Sequence, residues 1–73
     1  MPSLMERAGL LATTLGIRPD VLERDGILGV IRAASAMLGW RPMADMVLSD
    51  MLDALAEGRA GRRGVRVRAN MWV

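Results

Sequence analysis

Apolar residues recur at helical spacing along three stretches of the chain and at every second position along a fourth. The first stretch opens with Ser3 and, three residues on, Glu6. That spacing is a capping box, in which each residue satisfies the other's free backbone N–H, so it predicts a helix from about Leu4 to Leu15. In the second stretch Ile27, Val30, Ile31, Ala34, Met37 and Leu38 form one stripe. Gly29, Ala33 and Ala36 add small residues that suit close helix approach. Asp25-Gly26 is a turn signal ahead of the stripe. This stretch therefore divides into a short turn at 19–25 and a longer helix at 27–38. The third stretch predicts a helix from Pro42 to about Glu57 that stops at Gly58. Its apolar face is Ala44, Val47, Leu48, Met51, Leu52 and Leu55, and Asp45, Asp50, Asp53 and Glu57 make much of the rest acidic.

The joints between these stretches are near copies, Leu15-Gly-Ile-Arg-Pro19 and Leu38-Gly-Trp-Arg-Pro42. Glycine just past a helix adopts the left-handed conformation that closes it, and the next apolar residue folds back on the last turn. A residue before proline is pushed out of the helical region, and proline suits the first position of a new helix. Each copy reads as stop, bend, start. Asp20 and Glu23 favour the dipole of the helix that begins at Pro19.

After Gly58 the pattern changes. Residues 58–64 make a flexible basic link of Gly, Arg and Ala. Val65, Val67, Ala69, Met71 and Val73 then alternate with Arg66, Arg68, Asn70 and Trp72, the period of a strand. No other segment resembles a strand, and a lone strand leaves its backbone donors and acceptors unpaired. The tail either stays disordered, lies on its own helices, or pairs with a strand outside this copy of the chain. The expected fold is all-α: a compact bundle of three to four short helices at 1–58, with a C-terminal extended basic arm at 59–73.

Charge sharpens that division. Residues 1–57 hold five Arg against eight acids, a net of −3, whereas residues 58–73 hold five Arg and no acid, a net of +5. All ten basic residues are Arg. That suits a GC-rich genome, and short chains of this kind are common in phages and mobile elements. At 73 residues without Cys, the chain has a marginal core and no disulfide or thiolate metal site to support it. Small chains without such staples often oligomerise or dock on a larger body. The seven Met residues suit irregular cores and adaptable binding surfaces. The longest apolar stretch, Gly26 to Trp40, is interrupted by Arg32 and falls short of a membrane span. With no basic-then-apolar leader pattern either, the expected location is cytoplasmic, away from membranes.

The chain has no His, Cys, Tyr or Lys. Nucleophilic and acid–base catalysis rarely operate without any of these, so the expectation is a non-enzymatic protein with no small-molecule substrate, cofactor or metal. Asp45, Asp50, Asp53 and Glu57 read as a solvated acidic face, and Asp25-Gly-Ile-Leu-Gly29 lacks the third glycine and the strand of a phosphate-binding loop. Trp40 reads as a core anchor and Trp72 as an interface residue. The partner-binding residues expected on the arm are Arg62, Arg63, Arg66, Val67, Arg68, Met71, Trp72 and Val73. Arginine forks suit bidentate contacts to carboxylates, and Trp is favoured at binding hot spots. Together these residues predict an assembly or adaptor protein that binds a protein partner, or itself, through apolar helix surface and the arm.

A second reading rests on a motif. Leu11-Ala12-Thr13-Thr14-Leu15-Gly16-Ile17 with Leu22 resembles a helix-turn-helix: Ala, Gly four residues later, then an apolar residue six beyond. The resemblance implies a DNA-binding regulator that uses Arg18, Arg24 and the Arg tail on phosphates. The second corner places Gly39 correctly but puts Asp45 at the apolar position. Acids also crowd the first reading helix, as Asp20 and Glu23. A third reading is an inhibitor or antitoxin-like protein that neutralises a specific target.

Overall fold

Helix α1 spans Leu4–Leu15. The Glu6 N–H donates to Ser3 Oγ at 3.1 Å, and the Ser3 N–H donates to Glu6 Oε1 at 2.8 Å. The capping box is thus formed as the spacing predicts. The helix closes at Gly16, with φ 74° and ψ 23°. There the Ile17 N–H reaches back to the Ala12 carbonyl at 2.8 Å, and the Gly16 N–H to that of Thr13 at 3.3 Å. This pair of bonds is a Schellman closure.

The second corner repeats the chemistry. Gly39 has φ 65°, and the Trp40 N–H donates to the Ser35 carbonyl at 2.9 Å. Ile17 and Trp40, which follow the two glycines, are both half-buried against the core.

Helix α2 spans Pro19–Leu38, with Arg18 extended ahead of it and Pro19 in its first turn. It is broken at Gly26, whose φ of 74° and ψ of −165° lie outside helical space. The halves, 19–25 and 27–38, are those that Asp25-Gly26 predicts. The break brings Asp25 over the next turn. A Cβ placed on Gly29 would lie 2.3 Å from the Asp25 Cβ. Gly29 is therefore small to make room for its own helix, not for a neighbouring one.

Helix α3 spans Leu48–Ala56, later than the expected start at Pro42. Residues 40–47 form a loop with one turn, closed by the Met46 N–H on the Met43 carbonyl at 3.1 Å. A short helix is held by packing more than by propensity. Ala44 and Val47, expected on the apolar face, are exposed and find nothing to pack on. The position after Pro42 also holds Met43 where the first corner has Asp20. The corner is copied, but the helix start is not.

The structure, a computed structural model, describes residues 2–58. Within them the fold is three helices and no strand. The basic arm at 59–73, with all of the expected partner-binding residues, lies outside the described residues.

The core is small. It joins Ala8, Leu11 and Ala12 of α1 to Val30, Ile31 and Ala34 of α2 and to Leu52 and Leu55 of α3. Met37, expected in the buried stripe, is instead 57 % exposed. Three alanines at the centre let the helices approach closely, and Gly9 of α1 faces Leu22 with room for a Cβ 3.7 Å from its Cδ2.

Candidate functional site: an apolar groove beside an arginine clamp

Arg7 fastens α1 to α3. Its Nη1 donates to Ser49 Oγ at 2.9 Å and its Nη2 to the Ser49 carbonyl at 3.1 Å. Nη2 also meets the Asp53 carboxylate. Ser49 and Asp53 are four residues apart on one helix, so both present to the same face and one guanidinium can bridge them. The clamp is polar, yet it stands at the edge of the core, which contains no buried polar residue among the described residues. Asp53 thus takes part in a tertiary contact and is not simply part of a solvated face.

Beside the clamp lies a groove of about 370 Å³ between α1, α3 and the end of α2. Leu10 and Thr14 form its α1 wall, Leu52 and Leu55 its α3 wall, and Leu38 closes it from α2. Leu10 is 65 % exposed, a large apolar side chain left facing solvent. The Thr14 hydroxyl is engaged, donating to the Leu10 carbonyl at 2.9 Å. The lining therefore offers hydrocarbon to a guest, with Arg7 and Asp53 as its charged members. Gly58 is also part of the lining, so the chain leaves for the arm from the groove itself.

No metal-binding cluster of His, Cys, Asp or Glu occurs among the described residues. Nor is any described helix long and apolar enough to cross a membrane. Of the arginines in the helix-turn-helix reading, Arg18 Nε stands 3.3 Å from Asp20 Oδ1 and Arg24 Nη2 stands 4.0 Å from Oδ2. Both basic groups thus stand near one carboxylate as weak, exposed pairs. Neither the groove nor the Arg7 clamp is visible in the sequence pattern. Leu10 lies off the buried face of α1 made by Ala8, Leu11 and Ala12, and Arg7 has its partners 42 and 46 residues away. The chain matches no known family, no curated protein and no solved structure.

Proposed function

We propose that the chain is a non-enzymatic binding module, a small assembly or adaptor protein that joins a protein partner or a second copy of itself. The observation that carries this reading is the open apolar groove with Leu10 on its wall, beside a core to which the described residues contribute only eight buried side chains. Apolar surface left uncovered among the described residues is where a partner would dock. The charge pattern supports it, because an acidic body carries a basic arm. The contacts to the partner come from the groove and from the arm residues 62–73.

The test compares the full chain with a truncation after Gly58, by light scattering of the purified protein and by partner retention from extract. The truncated chain keeps its helical circular dichroism and loses self-association or partner retention. Undiminished association after truncation would remove the arm from the reading. Titration with duplex DNA at low and high salt covers the alternative. Tight binding that weakens steeply with salt would establish a DNA-binding regulator instead.

A further inference from the structure

We propose that the groove between α1 and α3 is the seat for about five residues of the C-terminal stretch Val65–Val73 of a second copy of the chain. This rests on the assembly reading above and names the site and its occupant. The groove needs an apolar guest, since leucines make up most of its lining and Leu10 among them is exposed. The chain itself carries such a guest, with Val65, Val67, Ala69, Met71 and Val73 on alternate positions. In extended form these residues share one face. The opposite face would then carry Arg66 and Arg68, and the recipient body is acidic, with five Arg against eight acids in residues 2–58.

Length favours a second copy. The 15 residues 59–73 reach up to about 50 Å when extended. Helix α1, which walls the groove, has 12 residues and so is only about 18 Å long. That length holds about five extended residues. The remainder is enough to span the gap between two bodies. Within one copy, the stretch would have to double back onto the groove from which its own link departs at Gly58. Between two copies the exchange is mutual: each arm fills the other's groove, and the two contacts reinforce each other. The exchange also completes a core that is too small to be secure alone.

The test uses full-length chains. Leu10→Glu spoils the groove at a position 65 % exposed, so the fold should tolerate it. Met71→Glu spoils the arm at a position outside the described residues. Sedimentation should show each variant dissociating at concentrations at least tenfold higher than the unaltered chain, with helical circular dichroism unchanged in both. A mixture of the two restores one intact groove and one intact arm in different molecules. It should associate beyond either variant alone. A photo-crosslinker at position 71 should join to the α1 segment around Leu10 within a covalent dimer.

A crosslink to α1 within a monomer would assign the groove to the chain's own arm and overturn the proposal. So would a mixture no more associated than its components. Association that truncation abolishes but Leu10→Glu leaves intact would overturn the groove assignment while leaving the assembly reading standing.

Discussion

Asp25 and Gly29 stand so close that the α2 turn they share admits no side chain on the second of them. A Cβ at Gly29 would meet the Asp25 Cβ at 2.3 Å and Val21 Cγ1 at 3.5 Å. The contact arises because Gly26 breaks the helix and turns Asp25 toward the following turn. Replacing a mid-helix glycine by alanine ordinarily stabilises, by about 0.5–1 kcal/mol. Here the sign reverses.

Gly29→Ala should therefore destabilise by about 1–3 kcal/mol, the usual cost of overpacking. A Cβ cannot swing away as a longer side chain can, so the backbone has to shift. Asp25→Gly removes the opposing atom. The double variant Asp25→Gly/Gly29→Ala should recover most of the loss, after allowance for the cost of the new glycine. Urea unfolding of the four proteins in the cycle measures the coupling. Additive losses would show that the two positions do not meet.

The glycines with positive φ separate into two kinds. Gly16 and Gly39 sit in the left-handed helical region, at φ 74° and 65°. Gly→Val at either should cost about 1 kcal/mol or more, because Cβ crowds the following carbonyl there. Gly26, at φ 74° and ψ −165°, lies where L-residues hardly go, and Gly26→Ala should cost about 1–3 kcal/mol. Nothing stands within 4 Å of the Cβ position at Gly26, so the cost is purely conformational. Inverting those angles gives ordinary extended backbone. A chemically made chain with D-alanine at 26 should thus be clearly more stable than the L-alanine chain, because it avoids the conformational cost and narrows the unfolded ensemble. Thermal melts of the L- and D-alanine chains decide the point, and equal destabilisation by both would refute it.

The Arg7 clamp gives a third expectation. Arg7→Ala leaves Ser49 and Asp53 without their shared donor and should cost about 1–2 kcal/mol. Lysine keeps the charge but lacks the fork, so Arg7→Lys should recover less than half of that loss. Added salt should weaken the native protein only slightly, since the Ser49 bonds carry no second charge to screen. Chemical unfolding at low and high salt tests both statements. Full rescue by lysine would mean that charge alone holds the joint.

The sequence reveals the local features of this fold and conceals the distant ones. The capping box at Ser3 and Glu6, the closures at Gly16 and Gly39, and the break at Gly26 all depend on residues within a turn of each other. Their spacing therefore announces them. The start of α3 does not follow from its neighbours. Pro42 repeats Pro19, but only burial could hold a helix there, and Met43 and Val47 reach no core. Arg7 is silent for the same reason: on α1 it is one more polar position, and only folding brings Ser49 to it. The groove follows from how three helices converge, which no single periodicity contains.

Three of the eight buried core residues are alanine: Ala8, Ala12 and Ala34. Their methyl groups set the distance between α1 and α2, so enlarging any of them pushes the two helices apart. Met37 and Met43, by contrast, can be exchanged without disturbing a packed neighbour in the core. Inherited variation in this chain is thus constrained against intuition. The exposed methionines are large apolar residues with latitude, and the smallest side chains of the core are ones that descent must keep.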